Sequence, residues 1–287
     1  MSTSKLLLGL APTRNFVGTW EEIAKMCQKY CFDGVEFKYE LPFILPERWS
    51  WKMIQRIRTM AREANWFISV HGPYTNIGAL LARRWRNALD EHLRALEVAQ
   101  ILEAKTYTIH PGWVERKWST PELLQRCQEN TARALNELVS NVDEIVICLE
   151  NQHPGGDKEK AGITPVQLHS IVHDLPQVYF TFDVGHAQLY NKDPVGFLFA
   201  LGPERVRLAH LHDNTGEDDT HLPPGLGNVN WSAFLKLYQE REYKFPLFLE
   251  INGNEMDFEN SRKVLIKLWD SLTFKTKIEE KTWSSEI

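Results

Sequence analysis

Residues Leu208–Trp231 read LAHLHDNTGEDDTHLPPGLGNVNW. The stretch opens as an apolar strand and breaks into a loop punctuated by glycine and proline. It ends where Asn230 can cap a helix starting at Trp231. Between strand and helix stand His210, His212, Asp213, Asp219 and His221. Each loses hydration on burial unless it finds a partner. Five such groups at one strand end and its loop make sense as ligands for a metal ion. His210 and His212 are two apart and point to the same side of the strand, while Asp213 points the other way and reads as structural.

Outward from this unit, the pattern of strand, loop and helix repeats. The sequence predicts strands at Leu6–Leu10, Gly34–Phe37, Trp66–Val70, Thr106–His110, Ile145–Glu150, Val178–Asp183, Val206–His212 and Phe245–Ile251. They are continuous apolar runs, as strands buried on both faces must be. Amphipathic patterns predict helices at Thr19–Tyr30, Trp51–Glu63, Arg86–Leu102, Thr120–Val139, Thr164–His173, Pro194–Leu201, Trp231–Arg241 and Asp257–Leu272. Thr120-Pro121, Thr164-Pro165 and Asp193-Pro194 each put a capping oxygen before a proline at the first helical position. Eight strand–helix pairs in strict alternation, with no break in composition, predict an α/β fold. It is a single (β/α)8 TIM barrel over residues 1–272, followed by a polar tail over 273–287.

Composition agrees. Of 287 residues, 43% are hydrophobic and 25% charged, enough for a large core. The net charge of -5 gives nothing global to attract nucleic acid or an anionic membrane, and no run is apolar enough to span a bilayer. The N-terminal MSTSKLLLGLAPTR reads as a first strand rather than a secretory signal. Cys27, Cys31, Cys127 and Cys148 form no CxxC pair, which fits a reducing cytoplasm. The long loop Tyr39–Trp51, rich in proline and aromatics, is a substrate lid, a partner surface or a loop packed over a helix. With ten tryptophans in the chain, it leaves room for contact with a second copy. Arg83, Arg84 and Arg86 read as a solvated helix start. Gly225–Gly227 reads as a tight turn before the seventh helix, with a phosphate contact as the alternative.

The strand ends carry the chemistry. The third predicted strand ends at His71 in HGPY, the fourth at His110 in IHPGW, and the fifth at Glu150 in LEN. The sixth ends at Asp183, with His186 in DVGH; the seventh holds His210 and His212; its loop holds Asp219 and His221. The eighth carries Glu250 in LEI. In a parallel barrel these ends converge at one rim. A ring of imidazoles and carboxylates without thiolate suits Zn²⁺, Mn²⁺, Co²⁺ or Fe²⁺, and suits Mg²⁺ less. His92, His169 and His173 lie on helices away from the rim; His153, in the loop after the fifth strand, could touch a substrate but reads better as a loop-surface histidine.

With these motifs in order, the chain resembles the xylose isomerase-like TIM barrel superfamily, which joins endonuclease IV-type enzymes (AP endonuclease family 2) to sugar isomerases and epimerases. The resemblance to the nuclease pattern implies metal ligands at His71, His110, Glu150, Asp183, His186, His210, Asp219, His221 and Glu250, nine ligands that in that family hold three zinc ions. There are departures. DVGH stands where the nucleases typically have DTCH, and the strand-seven motif lacks their Ser/Ala-Lys. The form HLHDN…D-x-HLPPG-x-G is more similar to the sugar phosphate isomerase/epimerase branch. That branch implies one metal, held by Glu150, Asp183, a strand-seven histidine (His210, or His212 by a shift of two) and Glu250. Tyr74 matches a tyrosine of both branches.

The expected activity is therefore isomerisation or epimerisation of a sugar or sugar phosphate. It needs a divalent metal (Zn²⁺, Mn²⁺ or Co²⁺) and no organic cofactor, with Glu150 and Glu250 as the acid/base pair. His186 would bind a substrate hydroxyl or a second metal. The alternative is multi-zinc hydrolysis of abasic DNA, in which His71, His110, Asp219 and His221 also bind metal. The acidic balance speaks against a nucleic-acid partner. A barrel that only binds a ligand has no need of the glutamate pair.

Overall fold

The computed structural model describes residues 5–45 and 47–283, the side chains of 273–283 excepted. Ten strands and nine α-helices alternate among the described residues. Eight strands close a barrel: β1 (Leu8–Leu10), β2 (Gly34–Lys38), β3 (Phe67–His71), β4 (Thr106–Ile109), β6 (Val146–Glu150), β8 (Tyr179–Asp183), β9 (Val206–Leu211) and β10 (Leu247–Leu249). Around the ring the order is β1-β10-β9-β8-β6-β4-β3-β2, and the barrel pairings are parallel.

The predicted strands lie in place, with ends that differ by up to two residues. The helices α1 (Trp20–Lys29), α2 (Trp51–Ala64), α3 (Ala82–Leu102), α4 (Pro121–Val139), α5 (Pro165–Ile171), α7 (Pro194–Leu201) and α8 (Trp231–Glu240) match their predicted counterparts. The cap residues act as read. Thr120, Thr164, Asp193 and Asn230 each accept from the third backbone N–H of their helix. The last helix, α9, is Glu255–Trp283, so its backbone runs past Leu272 into the segment read as a polar tail. No described helix is long and apolar enough to cross a membrane.

Two features differ from the sequence reading. A short helix, α6 (Val184–Asn191), starts directly at the end of β8, capped by Asp183. Its first five residues are all buried, so no polar face marks it in the sequence. A small antiparallel pair, β5 (Trp113–Glu115) with β7 (Lys158–Lys160), joins two barrel loops. Each of its strands is three residues long, too short for periodicity to show. Elsewhere the open readings resolve. Phe43 anchors the Tyr39–Trp51 loop in the core while Glu40 reaches the central cavity. Arg83, Arg84 and Arg86 are exposed at the start of α3.

Strand alternation sorts the barrel into layers. Outward-facing Val35, Phe37, Val70, Tyr107, Ile109, Leu149 and Phe182 pack under the helices in the main core. Inside, an apolar plug of Ala11, Leu208 and Phe248, with Phe67 against it, closes the bottom. Gly9 is required there, because a Cβ would stand 2.4 Å from the Phe248 ring. Above the plug sits a hydroxyl layer. Ser69 donates to Glu36 (2.6 Å), Thr108 donates to Glu36 (3.1 Å), Thr106 donates to Ser69 (2.9 Å), and Thr108 and Thr181 share a bond of 2.8 Å. The next inward residues along each strand, one step nearer the C-terminal end, form the site.

Candidate metal centre

The inward pairs Ser69/His71, Thr108/His110, Cys148/Glu150, Thr181/Asp183, Leu208/His210 and Phe248/Glu250 are each two residues apart. The second member of each pair lines a bowl at the C-terminal rim, and His186, His212, Asp219 and His221 join it. All ten site residues named from the sequence come together. Their donor atoms fall into three groups, each within 4.8 Å of one another: His71, His110 and Glu150; Glu150, Asp183, His210 and Glu250; His186, His212, Asp219 and His221. His210 falls in the group with Glu150, Asp183 and Glu250, and His212 in the group with His186, Asp219 and His221, although its Nε2 also lies 3.0 Å from Asp183 Oδ1.

Backbone carbonyls aim the rings. His71 Nδ1–H donates to Gly72 O (2.8 Å), His186 Nδ1–H to Asn151 O (2.8 Å), and His221 Nδ1–H to Glu250 O (2.7 Å). Each therefore turns its Nε2 to the bowl. His210 is held the other way round. Its Nε2–H donates to Glu36 (2.7 Å), and its Nδ1 faces Glu150 Oε1 at 3.1 Å, Glu250 Oε2 at 2.7 Å and Asp183 Oδ2 at 3.8 Å. Glu150 spans two groups: its Oε2 lies 2.8 Å from His110 Nε2 and 3.3 Å from His71 Nε2, while its Oε1 faces His210.

Burial and charge set the ionisation. Burial disfavours charge on His210, but Glu250, Glu36 and Glu150 overcome it and hold its pKa well above the ordinary imidazole value. Burial likewise opposes the carboxylate form of Glu150 and Glu250. His110 and His210 outweigh it at Glu150, Lys38 and His210 at Glu250, and both stay well below the usual range. His186 rises to about 10, where Asp183 and Asp219 overcome burial; His221 rises to about 9, where Asp219 does so. Burial pushes His110 down, against the pull of Glu150.

A metal fits this donor set on grounds other than its composition. Asp183 Oδ2, Glu250 Oε2, Asp219 Oδ1, His110 Nδ1 and both His212 ring nitrogens are buried with no hydrogen-bond partner. Buried polar atoms without partners are rare, and here six of them belong to the residues of one site. Glu250 Oε2 lies 2.7 Å from His210 Nδ1 yet out of line for a hydrogen bond.

Three residues belong to the site that the sequence reading passed over. Glu36 is fully buried under His210. Lys38, from the same inward face of β2, pairs with Glu250 Oε1 at 2.5 Å while buried. The spacing was a signal: GVEFK sets an acid and a base two apart in an otherwise apolar strand. His153 is the third, and the loop-surface reading is corrected. Its Nδ1–H donates to Pro154 O, its Nε2 lies 3.5 Å from Asp219, and it lines the cavity. Burial, with His186 beside it, lowers its pKa to about 4. Asp213 is structural as read: it accepts from Asn214 N, Gly225 N, Val229 N and Trp231 Nε1. The turn at Gly225–Gly227 is tied down by that carboxylate.

The bowl opens into a cavity of about 360 Å³. Its walls include Thr13, Arg14, Asn15, Glu40, Tyr74, Gln152 and Asn252. Thr13 and Asn15 both donate to Asn252 Oδ1, at 2.6 and 2.9 Å.

A closed parallel barrel with imidazoles and carboxylates at its C-terminal rim defines a class of barrel proteins built around a polar rim site. Residues 14–268 match the family model described as xylose isomerase-like TIM barrel, and the chain belongs to that family. An uncharacterized protein of Methanocaldococcus jannaschii is 30% identical over 220 residues, covering 75% of this chain and 74% of that one. A probable endonuclease 4 of Thermotoga neapolitana is 26% identical, covering 63% and 67%. Among solved structures, a D-tagatose 3-epimerase-like protein superposes with a TM-score of 0.82 at 26% identity, over 94% of this chain and all (100%) of that one.

Proposed function

We propose that this protein is a divalent-metal-dependent isomerase or epimerase of a small sugar or sugar phosphate, acting by proton abstraction beside a carbonyl. One observation carries the reading. Glu150 on β6 and Glu250 beyond β10 converge on His210 from either side of β9, at the floor of a cavity near the small end of ligand pockets. Neutral hydrogen-bonding groups on Thr13, Asn15, Gln152 and Asn252 line its wall and suit a polyhydroxylated molecule. The similarity to a D-tagatose 3-epimerase-like protein supports the same reading.

Glu150, Asp183, His210 and Glu250 would hold the ion, with Zn²⁺, Mn²⁺ or Co²⁺ matching one imidazole and three carboxylates. Bound there, it would supply Lewis-acid polarisation of the substrate's carbonyl and adjacent hydroxyl. Glu150 and Glu250 take the proton from carbon and return it. Lys38 keeps Glu250 ionised and fixes one of its two oxygens. Glu36 holds His210 Nε2–H, so that Nδ1 faces the carboxylates. The protein's net charge of -5 fits a small molecule better than a polyanion.

The test is deuterium uptake. Incubated in heavy water with a panel of ketoses and ketose phosphates, the protein incorporates deuterium at carbon next to the carbonyl of its substrate. Glu150→Gln and Glu250→Gln lower that rate by about 10²- to 10⁴-fold. Near-normal exchange in both variants would refute the assignment.

A second reading has its own observation. The group His71, His110 and Glu150 shares a carboxylate with the deeper group, an arrangement suited to two or more ions and phosphodiester hydrolysis. Similarity to a probable endonuclease 4 supports it. Cleavage of an abasic-site duplex, with no deuterium uptake in any ketose, would establish it over the first.

A further inference from the structure

Two consecutive residues beyond β6, Gln152 and His153, line the cavity and belong to none of the three donor groups. Gln152 is 3% exposed, and its Nε2 is buried with no hydrogen-bond partner. An amide nitrogen is a donor, and a buried donor left unpaired costs stability unless a ligand pairs it. His153 is its complement. A carbonyl oxygen only accepts, so the 2.8 Å bond to Pro154 O places the ring hydrogen on Nδ1 and leaves Nε2 of the neutral ring as an acceptor. Asp219 Oδ2, 3.5 Å from that Nε2, is a carboxylate oxygen and has no hydrogen to give it.

Both residues are held in place by the fold. Asn151, one step earlier, is locked to Asp183: its Nδ2 donates to Asp183 O (2.9 Å) and its Oδ1 accepts from Asp183 N (2.7 Å). Gln152 N donates to Gly162 O (2.9 Å), and His153 O accepts from Lys160 Nζ (3.1 Å). Lys160 is 4% exposed, and among the described residues that carbonyl is the one hydrogen-bond partner of its amine, so a group that is costly to bury serves to hold this loop. Past the ring the chain turns out at Gly155 and Gly156, whose φ values of +104° and +76° favour glycine, with nothing within 4 Å of either Cβ position. The donor and the acceptor are thus fixed toward the cavity at no further ordering cost when a ligand binds.

We propose that Gln152 and His153 form a subsite that reads a free hydroxyl of the substrate beyond those held by the ion. That hydroxyl donates to His153 Nε2, and the same or the adjacent oxygen accepts from Gln152 Nε2–H. A hydroxyl serves both partners, having one hydrogen and two lone pairs. A phosphate ester at that position carries acceptor oxygens and a charge of about -1.5 to -2. It leaves His153 Nε2 unpaired and sets its charge against the Asp219 carboxylate. The subsite therefore narrows the substrate class to ketoses unesterified at that hydroxyl. The inference rests on the isomerase reading and adds a choice between free sugar and sugar phosphate that the metal-ligating groups do not make.

The test is a set of analogues. Exchange is followed at about pH 8, where an ordinary imidazole is neutral. The substrates are the ketose the wild type accepts, deoxy analogues lacking in turn each hydroxyl beyond the reacting carbons, and the phosphate esters at those hydroxyls. The wild type discriminates against one deoxy analogue by about 5- to 100-fold in kcat/KM, and against the ester at the same position. His153→Phe loses that discrimination, and the change for the full ketose lies in KM rather than kcat, as loss of a binding contact requires. His153→Gln, whose amide oxygen accepts, recovers part of it, and Gln152→Leu raises KM as well. Near-ultraviolet circular dichroism checks that each variant is folded, and metal content per chain separates a lost hydroxyl partner from a lost metal ligand. Discrimination that persists in His153→Phe overturns the proposal. So does loss of bound metal in that variant, or a wild type that prefers the ester; the isomerase reading survives all three results. A wild type that exchanges no ketose overturns both.

Discussion

Glu36 offers the sharpest test of how the barrel interior supports its rim. The carboxylate is fully buried, and three donors converge on it: Ser69 Oγ at 2.6 Å, Thr108 Oγ1 at 3.1 Å and His210 Nε2 at 2.7 Å. Burial works against its charge, and His210 outweighs burial, so its pKa is lowered. Glu36→Ala leaves Thr108 able to donate to Thr181 Oγ1 at 2.8 Å but strands Ser69 and His210, and each buried unsatisfied group costs about 1–3 kcal/mol. The sum, about 2–6 kcal/mol, is a large share of the whole stability of a domain, about 5–15 kcal/mol. Glu36→Gln is different. Its amide oxygen still accepts from the two hydroxyls, but its NH₂ can face His210 Nε2 and turn that nitrogen into an acceptor. The proton then sits on Nδ1, the nitrogen that faces Glu150 and Glu250, and a metal must displace it. Loss of such a supporting partner lowers metal affinity about 10–100-fold, or roughly 1.4–2.8 kcal/mol. Urea denaturation of the metal-free chain reads the first effect, and competition against a chromogenic chelator reads the second. The reasoning fails if Glu36→Ala stays within about 1 kcal/mol of wild type, or if Glu36→Gln binds metal as tightly as wild type.

Two further predictions concern the scaffold. Asp213→Ala removes the acceptor for three backbone N–H groups and Trp231 Nε1, and should cost about 3–6 kcal/mol, with the loop after β9 becoming the first site of proteolysis; a loss under about 1 kcal/mol in urea melts would contradict this. His92, buried on α3 beside Tyr107, has its pKa lowered to about 3 by burial, with His110 and His71 adding to it. The unfolded chain protonates this ring near its ordinary value of about 6.5 while the folded chain does not, so the neutral ring's stability is fully present above that pH and is lost as pH falls through the window toward 3. Between pH 6.5 and 5, wild type should lose up to about 1.4 kcal/mol more per pH unit than His92→Gln, and parallel pH–stability slopes would count against the assignment.

How much of this was legible in the chain depended on the range of the interaction. The strands announced themselves because burial on both faces demands continuous apolar runs, and several helix starts carried their own cap, while α3, which starts after Leu81 without one, was placed four residues late. The ten rim residues were legible because parallel strands put their C-terminal ends at one place, so topology substitutes for coordinates. The grouping was not legible. That Glu150 spans two groups, or that His210 and His212 split between two, depends on register between β8, β9 and β10. Glu36 was passed over because it falls inside β2, and Lys38 because the predicted strand stopped at Phe37, one residue short of the true strand end. His153 was misjudged because a Pro-Gly-Gly loop reads as solvent-exposed, whereas the β5–β7 pair holds that loop over the bowl, with Lys160 donating to His153 O at 3.1 Å.

The reaction class turns on Glu150 more than on the number of histidines. The two readings divide over the two groups that share one carboxylate, Glu150. Its Oε2 faces His110 and His71 while its Oε1 faces His210, so an ion held with His71 and His110 would take Oε2, the oxygen that the single-ion reading leaves off the metal. His110 Nδ1 is buried without a partner, and burial pushes the ring toward its neutral form. A neutral ring with one hydrogen can donate Nε2–H to Glu150 across the observed 2.8 Å and hold that carboxylate in place. In the isomerase reading His110 is therefore an orienting donor to a base, and in the hydrolase reading the same nitrogen is a ligand; His71 already gives its Nδ1–H to Gly72 O, so as a neutral ring it has no hydrogen left for Glu150. The geometry that distinguishes the two is the occupancy of a single oxygen, Glu150 Oε2, by hydrogen or by metal.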